Sequence, residues 1–168
     1  MAGEVPNGTG VMAGVMTTQR DSGLKVFREA CHEAARRTPD VTFYELTEAT
    51  GVPNFHSAAM RDSALRHRVL CRPRGGFVAF TAPPPFPGSA LLHFREPPPW
   101  SEVFAWYGLR VLRAEVLATP LAGVDLGALD EGDREAVRRW RPRTLGELLF
   151  NWWGPPGSSA GRAARPGR

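Results

Sequence analysis

Five arginines stand between Asn54 and Phe80 (Arg61, Arg66, Arg68, Arg72 and Arg74), against one acid, Asp62. A guanidinium takes phosphate oxygens or a guanine edge as a bidentate fork, and an asparagine takes adenine in the same manner. The window therefore holds the chemistry of anion and base contact, with Asn54, His56 and Ser57 adding further polar groups. Its core, RHRVLCRPRGGFVAF from Arg66 to Phe80, has the pattern of a β-hairpin. Val69–Cys71 and Phe77–Phe80 read as strands, Gly75 and Gly76 supply the positive φ of a tight turn, and Pro73 limits pairing at the tip. Arg72 and Arg74 would then ride on an exposed, charged turn.

The other reactive residues are not spaced to build a site. His32, His56, His67 and His93 are scattered; His67 and Cys71 stand four apart, and Cys31 adjoins His32. With no paired CxxC or HxxxH, a buried structural cysteine is the more usual outcome than a zinc ligand. No P-loop, dinucleotide fingerprint, nucleophile elbow or metalloprotease helix occurs. The expectation is a non-enzymatic protein without metal or cofactor.

The 168 residues, 42% apolar and 23% charged, suit a folded chain rather than a disordered one. Net charge is +4 and the pI about 9.8, carried by arginine, since Lys25 is the single lysine. GC-rich codon usage also produces such a bias. Two cysteines make no disulfide framework, the N-terminus lacks the pattern of a secretory signal, and no apolar run is long enough to span a membrane. These features predict a cytoplasmic protein with reduced thiols and no membrane partner, starting at Met1, Met12 or Met16.

Residues 1–20 are Gly- and Thr-rich without periodicity and read as disordered. SGLKVFREACHEAARRT follows, capped by Ser22, with Leu24, Phe27, Cys31 and Ala34 on one helical face and Pro39 as its stop. VTFYELTEATGV reads as a second helix, with Thr42 and Glu45 as a capping box and Gly51 beyond its end. A third is expected from Pro53 and Asn54 to Leu65, before the hairpin.

Helix, helix, short glycine-containing turn, helix and hairpin is the element order of a winged helix-turn-helix. The segment from about Gly23 to Thr81, within a domain of residues 21–83, resembles winged-helix DNA-binding domains. The resemblance implies a recognition helix at Pro53–Leu65, from which Asn54, His56, Ser57 and Arg61 approach bases, and a wing at Arg72–Gly76. Arg66, Arg68, Arg72 and Arg74 would meet phosphates or a minor groove. The implied partner is duplex DNA, and the implied role is transcription regulation.

Residues 84–99 form a Pro-rich spacer, and residues 100–154 a helical region holding all five tryptophans. Its expected helices are Ser101 to Pro120, the charged DEGDREAVRRWRP, and TLGELLFNWW with Thr144 and Glu147 as a capping box. Leu145, Leu148, Leu149 and Trp152 form a stripe. Phe150, Trp152 and Trp153 are candidate anchors for a homodimer or a protein partner. The tail, residues 155–168, is basic, Gly/Pro-rich and expected to be unfolded. The predicted fold is mainly α with a small β-hairpin, a winged-helix-like N-terminal domain and a helical C-terminal region. The alternative function is a non-enzymatic adaptor that binds a protein partner through the aromatic C-terminal half.

Overall fold

The hairpin forms where its residues place it, but inside a larger sheet. The computed structural model describes residues 9–50 and 52–153, with side chains from Gly23 onward. Thr42–Thr47 (β1), His56–Arg61 (β2), Arg66–Arg72 (β3), Phe77–Thr81 (β4) and Phe94–Arg95 (β5) pair antiparallel in chain order. Arg110–Val111 (β6) joins β4 in parallel, beside β5 on the same edge. Gly75 and Gly76 close the β3–β4 turn at φ 87° and 65°.

The expected mainly α fold with its winged-helix-like domain is therefore corrected to a six-stranded mixed sheet with helices on both faces. The segments read as the second and third helices contain β1 and β2. In HSAAMR, Ala58 and Met60 face one core while Ser57, Ala59 and Arg61 face the other way, a period of two rather than 3.6. The threonines and aromatics of TFYELT favour pleated backbone. Thr42 and Glu45, spaced like a capping box, lie opposite Arg61 and Ala59 instead. A bulge at Tyr44 lets both Phe43 and Leu46 pack on the same core.

Helix α1 (Thr9–Arg37) begins inside the stretch expected to lack structure and crosses one sheet face. Phe27, Ala30, Cys31 and Ala34 meet Val69, Cys71, Val78 and Phe80 there, together with Trp100, Val103, Phe104 and Leu109. On the other face Leu70 and Ala79 meet Phe55, Leu117, Leu149 and Phe150. Runs such as Val69-Leu70-Cys71 and Val78-Ala79-Phe80 are continuously apolar because their residues alternate between two cores. Phe104 packs ring to ring with Phe27 and Phe80 at 6.2 and 6.0 Å, and each such buried ring contributes about 1.5–3 kcal/mol.

The long helix expected from Ser101 is broken. Val103–Trp106 (α2) ends at Gly108, φ 74°, and the chain turns to lay β6 on β4 before Ala114–Leu117 (α3). The Arg110 and Leu112 N–H groups donate to Gly76 and Val78 carbonyls at 2.8 and 2.9 Å, which a continuous helix could not do. Glu131–Trp140 (α4) forms as expected, capped by Asp130, and Leu145–Leu149 (α5) starts at its expected cap Thr144 but stops at Leu149, short of the expected Trp152. Among the described residues, no helix is long and apolar enough to cross a membrane.

Candidate functional site

The two ends of the β3–β4 region treat their arginines in opposite ways. At the turn, Arg72 is 5% exposed and holds Asp133 of α4 with two hydrogen bonds, 2.6 and 3.4 Å. Arg74 pairs with Asp130, the cap of the same helix. The segment expected to reach for phosphates is instead docked on the acidic first turn of α4, and its charge is neutralised within the chain.

At the other end, Arg61 and Arg66 face each other across the last register pair of β2 and β3, and Arg68 lies two residues along. Strand alternation puts all three on the side of the second core. Like charges directly opposite are unfavourable in a sheet. Among the described residues, none of the three has an ion-pair partner. Two of them lie over rings: Arg61 lies 5.6 Å over Tyr44, Arg68 lies 5.6 Å over Phe55, and Trp152 meets Phe55 edge-on at 5.1 Å. Burial holds the half-buried Arg68 guanidinium below the usual arginine value. A partly desolvated cation without a counter-charge is a standing demand for an anion.

This part of the sheet is open. Leu70, Ala79 and Phe94 are covered by Leu117, Leu149 and Phe150, whereas Tyr44, Glu45, Thr47, Arg61 and Arg66 are exposed, Tyr44 by 56%. Arg95 reaches the rim and donates to the Arg66 carbonyl at 2.7 Å. The result is a basic strip on a sheet face, walled by aromatic rings.

The remaining candidates make contacts within the chain. Asn54 clamps the C-terminal segment: its amide donates to the Leu149 carbonyl at 3.0 Å and accepts from the Asn151 N–H at 2.9 Å. Ser57 is buried on β2. Phe150 is 2% exposed, inside the second core rather than on a surface. Trp152 and Trp153 are half-buried, and Trp153 stacks on Trp140 at 5.7 Å. His56 is buried beneath Phe27, with Nδ1 accepting from the Ala49 N–H at 2.9 Å.

Burial pushes the His56 pKa down, against a smaller upward pull from Glu48. The folded state therefore binds fewer protons than the unfolded one just below the usual histidine value. Stability is full above about pH 6.5 and declines as pH falls below it. A His56→Phe chain is expected to lose this slope in thermal melts between about pH 7 and 5. An unchanged slope would remove His56 as its source.

A second cluster, absent from the sequence reading, braces the open strip. The Asp62 carboxylate closes the β2–β3 turn through the Ala64 and Leu65 N–H groups, and also accepts from His67 Nε2 and Trp100 Nε1. Cys31 and Cys71 are buried free thiols, and desolvation pushes Cys71 up to about 12, which leaves both as packing groups. Among the described residues, no three His, Cys, Asp or Glu side chains come together in a manner that could hold a metal ion. Tyr44 was also missed. The β1 bulge that brings its ring beside Arg61 has no signal in the sequence. No family model, curated protein or solved structure matches the chain.

Proposed function

We propose that the chain is a non-enzymatic, cytoplasmic nucleic-acid-binding protein whose open sheet face takes a single strand. The observation that carries this reading is the unpaired row of Arg61, Arg66 and Arg68 beside the exposed Tyr44 ring. Phosphates would sit on the guanidinium groups and an unpaired base on Tyr44, the division of labour by which sheet platforms bind single strands. Duplex DNA fits less well, because the segment expected as a recognition helix, Pro53–Leu65, holds the strand β2. Glu45, opposite Ala59 in the row that holds Arg68, limits the length of the strip and predicts a short site.

The test is fluorescence anisotropy with labelled single-stranded and duplex oligonucleotides across a salt series. Three phosphate contacts predict a slope of about −2 in log K against log salt, or about a fifteenfold loss from 50 to 200 mM. Arg61→Glu/Arg66→Glu is expected to abolish binding, and Arg74→Ala to leave it unchanged. A folded chain that does not bind at low salt, or a charge-reversed one that binds like the parent, rejects the reading.

A further inference from the structure

The chain carries two triple-proline runs, and their aromatic residues have opposite fates. Pro97 to Pro99 leads into Trp100; Pro98 has polyproline II geometry, φ −68° and ψ 160°. It delivers Trp100 into the first core, edge-on to Phe80 at 5.3 Å and to His67 at 5.8 Å, with its indole N–H on Asp62 at 3.0 Å. Pro83 to Pro85 leads into Phe86, and this ring is 61% exposed, with Pro83, Pro84, Pro85 and Pro87 exposed around it.

The outer loop is built rather than slack. The Ala82 N–H donates to the His93 carbonyl at 2.9 Å and closes its base. The Ser89 N–H donates to the Phe86 carbonyl at 3.1 Å, with Pro87 and Gly88, φ 83°, as the central pair, the geometry of a type II turn. Ser89 is buried, and its hydroxyl accepts from the Leu91 N–H at 3.3 Å. Ring closure fixes φ at each proline and pushes the residue before it extended, so little freedom is left to lose on docking. No charged residue occurs from Thr81 to Leu92, so the loop offers nothing to a phosphate or an anionic lipid.

We propose that Pro83–Pro87 is a docking element for a partner protein that presents a groove lined with aromatic side chains, with Phe86 as the anchor. The inner run supplies an intramolecular parallel. Proline flanks set the approach, and two ring edges grip the aromatic that follows. Partner proteins of this chemistry read proline strands through ridges of aromatic residues. This surface is separate from the arginine strip and does not depend on it.

The test measures binding of the full chain to a panel of purified, immobilised SH3, WW and EVH1 domains by biolayer interferometry. At least one domain is expected to bind at micromolar strength. Phe86→Ser should weaken that binding about thirtyfold, the loss of a hot-spot side chain, without lowering the melting temperature. Gly88→Val should weaken it severalfold, because a Cβ there meets open space and disturbs only the turn. No binding by any domain at about 100 μM overturns the proposal. So does Phe86→Ser binding like the parent, or a concentration-dependent dimer that Phe86→Ser abolishes, which would make a second copy the occupant.

Discussion

Replacing Asp133 with alanine is expected to destabilise the fold by about 3–5 kcal/mol, because it leaves the Arg72 guanidinium buried without a counter-charge. Arg72 is 5% exposed at the end of β3, and Asp133 is its only ion-pair partner among the described residues. The desolvation cost of both ions is already part of the folded state. Removing one ion forfeits the attraction and keeps the cost of the other. For a chain of this size the shift corresponds to a fall in melting temperature of roughly 6–20 °C. Arg72→Leu/Asp133→Leu supplies the contrast, since exchanging a whole buried pair for apolar side chains is often neutral. Most of the lost stability should return in the double variant. If Asp133→Ala melts within a degree of the parent, water reaches the pair and it does not pin β3 to α4.

The same pair shows why the sequence misleads at the hairpin tip. Arg72 and Arg74 stand beside Pro73 and two glycines, and nothing local distinguishes an arginine that reaches for solvent from one that is already matched. The answer lies in DEGD, whose Asp133 is 61 residues away from Arg72. Local rules succeed where the deciding group is local. Gly75 and Gly76 mark the turn, Thr144 caps its helix, and the apolar face of α1 holds from Phe27 to Ala34. They fail at β1 and β2, where alanine, methionine, leucine and glutamate all accept a helix. Only pairing with β3 commits Ala58 and Met60 to a pleat. Arg61, Arg66 and Arg68 converge on one face: the spacing of two between Arg66 and Arg68 is local, whereas Arg61 joins them only through the β2–β3 register. Tyr44 was hidden by its bulge, which no residue in TFYELT announces.

Asp62→Ala is expected to cost about 1–3 kcal/mol and to loosen the arginine strip at the same time, since one carboxylate closes the turn between Arg61 and Arg66 and anchors the core beneath it. Its two oxygens accept from the Ala64 and Leu65 N–H groups at 2.9 and 2.8 Å, from His67 Nε2 at 2.9 Å and from Trp100 Nε1 at 3.0 Å. Alanine would leave a buried indole N–H without an acceptor beside His67, whose Nδ1 already lacks a partner among the described residues. Burial works to raise the Asp62 pKa, but the hydrogen bonds from Trp100, Leu65, His67 and Ala64 outweigh it and hold the carboxyl well below the usual range. The folded state thus binds fewer protons than the unfolded one. Asp62 contributes in full above the unfolded carboxyl value near pH 4, and its contribution fades as pH falls toward the folded value. Urea melts of the parent and of Asp62→Asn should therefore differ most above about pH 5 and converge in stronger acid. Asparagine keeps one acceptor for the turn but turns a donor toward Trp100 and His67, so it should recover only part of the alanine loss. A pH-independent gap between the two chains would mean that the carboxylate acts through its shape alone, and the charge of Asp62 would have no part in holding Arg61 and Arg66 together.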